Sequence, residues 1–365
     1  MSQEPLDFLI IGQGLAGSIL AWMLRRRGQT LRIVDHGDPL SASRIAAGIV
    51  NPVAGRRLVK YPNAENFLER ARAFYAKIGN HFQQVFYFER PMIRLFTSEK
   101  ERRLWEQRRA NPAYRRYLGP GFDARAECPV PANRFGGFFQ QECGFLETRS
   151  FLDRLRKDFE SQGELDAKQF SWNWLAPKHG PMRWDGRRVR QIIGCEGHHA
   201  ARNPYFSWLP FQLSKGEIVS LKSARKLSKT IINQGKWLLP TEQYRLKCGA
   251  TYQWEPLDCE PSESARSSLT SSARQLSIPD SGLELIAHEA GIRPGSLDKM
   301  PFAGKHPLYP QIALFNGFGS RGVLTIPYYA ERFVDHLLNQ ADLPAEIDLR
   351  RYLSLSAHAT RRTGP

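Results

Sequence analysis

A glycine-rich turn near the N terminus, Gly12-Gln13-Gly14-Leu15-Ala16-Gly17, constrains the fold of this chain more tightly than any other feature. Before it stands Asp7-Phe8-Leu9-Ile10-Ile11, a short apolar run that reads as a buried parallel strand. After it the pattern turns helical from about Leu15 to Arg27. Gly28 supplies the left-handed residue that ends such a helix, and Leu31-Arg32-Ile33-Val34-Asp35 reads as a second strand. The unit is strand, helix, strand, with glycines at the first crossing and an acid about 20 residues on, which is the full context of a dinucleotide fingerprint. Gly12 permits the tight turn, and Gly14 lets the backbone approach a pyrophosphate at the helix N terminus. Gly17 lets helix pack on strand, and the Asp35 carboxylate accepts from a ribose hydroxyl. Leu15 and Ala16 complete the cofactor-contacting turn. FAD and NAD share the ADP half, so this motif alone leaves the dinucleotide open.

Two further segments bear on that choice. Ser41-Ala42-Ser43-Arg44-Ile45-Ala46-Ala47-Gly48 offers small residues against which a flat ring can lie. Gly317-Phe318-Gly319-Ser320-Arg321-Gly322 stands before the last predicted helix, about Pro327 to Asn339. A second glycine turn opening a helix is a second site for an anion or dipole, and its distance in sequence from the first suits an extended, two-ended cofactor.

With 365 residues, 41% of them hydrophobic, 11% aromatic and 24% charged, the chain has material for about two domains and a sizeable core. That balance excludes disorder, collagen-like repeats and a disulfide miniprotein. The 52 Lys and Arg against 36 Asp and Glu leave a formal charge of +16, favourable to polyanionic partners. The densest basic stretch, Arg102, Arg103, Arg108, Arg109, Arg115 and Arg116, is interleaved with Trp105, Tyr114 and Tyr117. It reads as a solvated helix face, with a nucleic-acid patch as the alternative. Cys128, Cys143, Cys195, Cys248 and Cys259 are odd in number and contain no C-x-x-C, which argues against a disulfide framework or zinc site and for reduced, cytoplasmic thiols. The apolar stretch Phe8 to Leu24 is broken by glycines and followed by its positive charges, so a protein without signal, anchor or membrane span is expected. His198-His199 and His306 have no carboxylate or thiol partner at a useful spacing and read as loop histidines; no metal cluster and no Ser-His-Asp triad is expected.

Along the chain, about Pro62 to Arg116 is helical with an inserted strand region, Val85 to Arg90 and Met92 to Phe96, and a charged helix from Ser98 to Arg109. Thr148 caps a helix carrying Phe151, Leu152, Leu155 and Phe159 on one face, and Val189 to Gly194 reads as a buried strand running to Gly197. Lys215 to Tyr252 is strand-rich, with Asn233-Gln234-Gly235 as a hairpin turn, and Pro256 to Ser281 holds one polar helix. The tail Arg361 to Pro365 is expected to fray.

Taken in order, these motifs resemble the D-amino-acid oxidase type of FAD-dependent oxidoreductases, in particular the glycine oxidases and the flavin domain of the bifunctional tRNA wobble-uridine enzyme. The resemblance runs through the N-terminal fingerprint, Ala46-Ala47-Gly48, the segment ending in Gly197, Lys215-Gly216-Glu217 and Trp237-Leu238-Leu239-Pro240. It continues through Gly249-Ala250-Thr251, Ala290-Gly291-Ile292-Arg293-Pro294, Asp298, Pro301, Gly304-Lys305-His306-Pro307 and the closing glycine turn.

The resemblance implies an α/β fold: a Rossmann-like FAD-binding domain from residues 1–60, 140–210 and 285–365, with an inserted α+β substrate domain, 61–139 and 211–284, on a mixed or antiparallel sheet. It implies FAD in an extended pose, with Gly12, Gly14, Gly17 and Asp35 on the ADP half, and Ser43, Ala47 and Gly48 lining the flavin. Gly197 and Gly317 belong to the same site, and Gly319, Ser320, Arg321, Gly322 and Val323 would bring backbone N–H groups and the last helix dipole to the flavin's pyrimidine edge. Covalent relatives use a cysteine after the Arg-Pro motif; Gly295 to Pro307 has none, which implies non-covalent FAD. Arg293 matches the position that grips a substrate carboxylate, through two charge-assisted bonds of about 1.5–3 kcal/mol each. Trp237 departs from a common tyrosine, donating one hydrogen bond and accepting none, and Arg321 is a second anion contact or a salt bridge. The implied activity is oxidation of the C–N bond of a small amine or amino acid by hydride transfer to flavin N5. Two alternatives stand beside it: action on a carboxymethylaminomethyl-type tRNA uridine, and an electron-transfer flavin subunit.

Overall fold

The computed structural model describes residues 4–123, 133–174, 182–277 and 281–354. The chain divides into two compact units, one of residues 1–44, 148–214 and 292–365, the other of residues 45–147 and 215–291. Cys128 and the tail from Arg361 lie outside the described residues.

The first unit is built on a seven-stranded sheet whose order runs Leu165–Asp166, β2 (Leu31–Val34), β1 (Leu6–Ile11), Arg187–Gly194, Ile312–Asn316, Phe302–Lys305, with Arg183–Trp184 paired to Arg187–Gly194 off this path. The pairings from Leu165–Asp166 across to Ile312–Asn316 are parallel, and only Phe302–Lys305 and Arg183–Trp184 are antiparallel among them. Parallel strands buried on both faces need continuous apolar runs, and β1 supplies one: Leu6, Phe8, Leu9, Ile10 and Ile11 are all buried. The helix α1, Leu15–Arg26, buries Leu15, Ile19, Leu20, Trp22 and Leu24, and Gly28 ends it at φ +73° as expected. The last helix spans Gly322–Asn339, five residues earlier than the expected start at Pro327. Pro327 therefore lies inside this helix rather than at its first position, where its missing N–H would cost nothing, and the helix runs through it without the bond a residue there would donate one turn back.

The second unit rests on an eight-stranded sheet, ordered Glu284–Ser296, Phe211–Lys222, Arg245–Gly249, Lys236–Pro240, Ile231–Gln234, Met92–Leu95, Gly137–Gln140, Leu118–Phe122. The expected hairpin closes at Gly235, with φ +78°. One face carries Val219, Leu221, Ile232, Leu238, Leu246 and Cys248 against Leu269, Ala273 and Leu276 of the helix Glu263–Leu276. The opposite face carries Ile218, Ile231, Leu239 and Met92, packed with Ile45, Ala47, Cys143 and Phe145.

The boundaries differ from those expected, for identifiable reasons. Residues 45–60 join the second unit because Ile49–Val50 pairs with Gly144–Leu146 and because Ile45 and Ala47 enter its apolar cluster. The strands Gly137–Gln140 and Gly144–Leu146 hold the chain in that unit up to Glu147. The aromatic residues of the arginine-rich segment are not surface platforms. Tyr117 is fully buried, Trp105 stacks on Phe138 at 5.6 Å, and Tyr114 is buried under the Arg108 guanidinium.

Candidate functional site

The glycine turn is shaped by close backbone approaches that only glycine allows. Gly12 stands at φ +102°, and a Cβ there would lie 2.5 Å from the Cys195 carbonyl oxygen. A Cβ on Gly17 would overlap the Gly12 carbonyl. At Gly14 the neighbour is Ser43, whose Oγ stands 3.1 Å from an added Cβ and accepts the Leu15 N–H at 3.1 Å. Ser43 thus stands against the glycine turn and takes up the Leu15 N–H.

The helix N termini are not all finished alike. The helices Glu99–Ala110 and Glu263–Leu276 begin with Ser98 and Ser262, whose hydroxyls accept the Glu101 and Ala265 N–H groups, and both carry acids in the first turn. Neither α1 nor Gly322–Asn339 has a side-chain cap or a first-turn acid. Helix starts left that way present N–H groups and positive dipole ends to an anion from outside the chain. The start of α1, with no side chain on Gly14 and no carboxylate in its first turn, fits the diphosphate of an adenine dinucleotide.

Asp35 stands at the end of β2 and is half-buried. Its Oδ2 accepts the Gln13 N–H at 2.7 Å, and its Oδ1 accepts the Gly37 N–H at 2.7 Å and the Arg156 Nη1 at 3.0 Å. The carboxylate is thus fixed across the glycine turn, as a ribose acceptor needs to be. Arg156, 121 residues away, has no sequence signal that ties it to Asp35.

The closing glycine turn brings together two expected segments. Gly319, at φ +54°, donates its N–H to the Pro294 carbonyl at 2.8 Å, next to Arg293 on the strand Glu284–Ser296. Arg321 donates its N–H to Phe318 O at 3.1 Å. Those two N–H groups are therefore spent within the chain, which narrows the donors expected from Gly319–Val323. Gly317 is held at φ +84° against Phe302, its N–H bonded to Asn316 Oδ1 at 2.7 Å, and Asn316 Nδ2 reaches the Gly197 carbonyl at 3.0 Å. Arg293 and Arg321 are both half-buried.

In the second unit, Gly48 stands at φ +71° with its Cα against the Leu146 carbonyl, where no side chain fits. Ala47 belongs to the apolar cluster against which Trp237 packs, so two expected site residues meet there. Trp237 lies over Gly249, where an added Cβ would stand 2.6 Å from the indole. Asn233 and Gly249 flank Trp237 on the neighbouring strands.

His198 and His306 are held in different ways. Burial, reinforced by His199, lowers His198 to about 4, so it is neutral at ordinary pH. His306 Nδ1 accepts the Leu308 and Tyr309 N–H groups, both at 3.1 Å, and closes its own turn. Among the described residues no group of His, Cys, Asp and Glu could hold a metal ion, and no helix is long and apolar enough to cross a membrane. Glu196, between Cys195 and Gly197, went unnoticed in the sequence; its carboxyl accepts from Trp172 Nε1 at 2.6 Å and from Asn203 Nδ2 at 2.8 Å.

Comparison with known proteins places the chain in a family. A glycine oxidase of Pseudomonas putida is 29% identical over 130 residues, 35% of this chain and 36% of that one, so the match spans about a third of that relative's length. The glycine oxidase structure from Geobacillus kaustophilus superposes with a TM-score of 0.79 at 19% identity, covering 96% of this chain and 98% of that one. Iminodiacetate oxidase from Chelativorans sp. BNC1 gives 0.77 at 20% identity, covering 94% and 98%. At these identities the structures show a shared fold: a Rossmann-like domain joined to a second domain on a largely antiparallel sheet. The family model described as FAD dependent oxidoreductase matches residues 7–336, a span that takes in segments of both units, and the chain belongs to that family.

Proposed function

We propose that this protein oxidises the C–N bond of a small amine or amino acid, using non-covalently held FAD. The observation that carries the reading is the glycine cradle at the start of α1, a helix with no side chain of its own at the N-cap and no acid in its first turn, in a chain whose family is FAD dependent. The coarser activity, an FAD-dependent oxidoreductase of the amine or amino-acid type, follows the family; glycine oxidase and iminodiacetate oxidase, the names carried by similar proteins, support the substrate class.

Bound FAD supplies a two-electron acceptor for the substrate's Cα hydride. The chain's own residues do the rest. The first turn of α1 neutralises the diphosphate and Asp35 holds the ribose. The N terminus of Gly322–Asn339 offers positive potential to an electron-rich ring edge, and Arg321 adds to it. Arg293 grips a carboxylate in two parallel bonds and so fixes the direction of the Cα–H bond. Hydride transfer from a neutral amine requires no acid or base from the protein, in keeping with a neutral His198 and a His306 engaged in its own turn.

The test is product analysis. The FAD-loaded protein is incubated with glycine, sarcosine, proline, D-amino acids and iminodiacetate, with oxygen or a dye as acceptor. The expected result is a carbonyl product from one of these amines. No carbonyl product from any of them under either acceptor overturns the reading.

A further inference from the structure

Glu196 is a carboxyl that the proposed chemistry does not use. As a residue it is half-buried, yet its carboxyl is turned inward, onto the buried side chains of Trp172 and Asn203. Its Oε2 also stands 3.0 Å from the position of a Cβ on Gly194. Each oxygen accepts one N–H, and among the described residues Glu196 makes no ion pair. On the backbone side the same residue abuts the cradle: an added Cβ on Gly12 would stand 3.3 Å from Glu196 Cα and 2.5 Å from the Cys195 carbonyl. Cys195 donates its N–H to Ile11 O at 2.7 Å, and Gly197 O accepts from Asn316. Glu196 thus links the end of the Arg187–Gly194 strand, the Trp172 turn and Asn203 to the first glycine of the fingerprint.

We propose that Glu196 is the positioning residue that holds the 194–203 turn against the glycine cradle, and that it takes up a proton from solvent when FAD binds. The proposal rests on the reading of the cradle as the FAD site. Binding brings the two negative charges of a diphosphate to the turn that Glu196 abuts. A buried carboxylate without a cation responds to added negative charge by binding a proton. Burial already lifts Glu196 to about 7, against donation from Trp172 and Asn203, so the group is poised to titrate at neutral pH.

The other charged or titratable groups about the turn act differently. Cys195 has its thiol pushed up by burial and is uncharged. His198 is lowered to about 4 and His199 is lowered as well, by burial first in both cases. Arg202 on the turn and His36 and Asp38 after β2 lie within Coulombic reach of those histidines, and Asp35 is paired with Arg156. A proton taken up at Glu196 makes FAD affinity fall as pH rises, because the ionised carboxylate opposes the diphosphate.

The experiment is FAD titration of cofactor-stripped protein, followed by flavin fluorescence from pH 6 to 8.5 and by calorimetry in two buffers of different ionisation enthalpy. Wild type is expected to bind about tenfold more weakly at pH 8.5 than at pH 6, with net proton uptake on binding. Glu196→Gln keeps the shape and one acceptor but cannot titrate, so its affinity should be flat over this range and its proton uptake lost. Trp172→Phe removes a donor that favours the charged form and should move the midpoint of the pH dependence upward, which a merely structural contact would not do. Equal pH dependence and equal proton uptake in wild type and Glu196→Gln overturn the proposal and leave the FAD reading intact. If Glu196→Gln does not fold, an unmoved midpoint in Trp172→Phe overturns it. Failure of wild type to bind FAD at any pH removes both.

Discussion

At the scale of single residues, side chains can be ranked by what they touch. Arg293 is the proposed carboxylate grip, and Arg293→Ala should raise KM for carboxylate substrates by about tenfold to a few hundredfold, with FAD content unchanged. An unchanged KM removes Arg293 from that role. Gly249 lies under the Trp237 indole, so Gly249→Ala must displace the ring. Overpacking of this kind costs about 1–3 kcal/mol, and the expected readout is a shifted indole fluorescence with altered substrate KM and a native circular-dichroism spectrum. Glu196 also predicts a pH effect on stability. Its folded value of about 7 lies above its ordinary 4.5, so the native chain holds more protons between those values and loses stability as pH rises through them, by about 3 kcal/mol. His198 works in the opposite sense, because its lowered value makes stability fall as pH drops from 6.5 towards 4. Urea unfolding of Glu196→Gln at pH 5 and pH 8 separates the two: relative to wild type, the variant should gain stability at pH 8 and lose the downward slope.

At the scale of elements, the glycine turn carries the main prediction. Gly14→Val would drive a branched side chain into Ser43 Oγ and close the diphosphate approach, so the purified variant should be colourless while wild type is yellow. Full flavin occupancy in Gly14→Val would contradict the assignment of the cradle. The β1, α1, β2 unit was legible because every signal in it is local: an apolar run, a helix-ending glycine and an acid at fixed spacing. Phe302–Lys305, Ile312–Asn316 and Gly137–Gln140 were not read as strands, since each is four or five residues long and its pairing partner lies far off or is itself short. The site was legible in the same uneven way. Gly12, Gly14, Gly17 and Asp35 sit within one local motif, whereas Arg156 reaches Asp35 and Trp172 reaches Glu196 only through tertiary packing. The bond from the Leu15 N–H to the Ser43 hydroxyl, 28 residues apart, is likewise a product of tertiary packing.

At the scale of the whole molecule, the charge of +16 invites a nucleic-acid reading, and salt dependence is what tests it. Arg102 pairs with Glu106 and Asp123, Arg103 with Glu99 and Arg116 with Glu142, and the interleaved aromatic rings are buried. Exposed pairs of this kind contribute little stability, but they lower the net positive field of the segment. Any tRNA affinity should therefore be weak and lack the steep decline with salt that several neutralised phosphates produce; a steep decline, lost on replacing Arg103 and Arg109, would restore the tRNA alternative. The central claim is that this chain holds FAD and reduces it with an amine. The measurement that tests it most directly is the visible absorbance of the purified protein under anaerobic conditions, before and after glycine, sarcosine, proline and D-amino acids are added. The account predicts an oxidised flavin spectrum that bleaches on addition and, after denaturation, flavin released into the supernatant. A protein without flavin, or a flavin that stays oxidised with every amine, would contradict it.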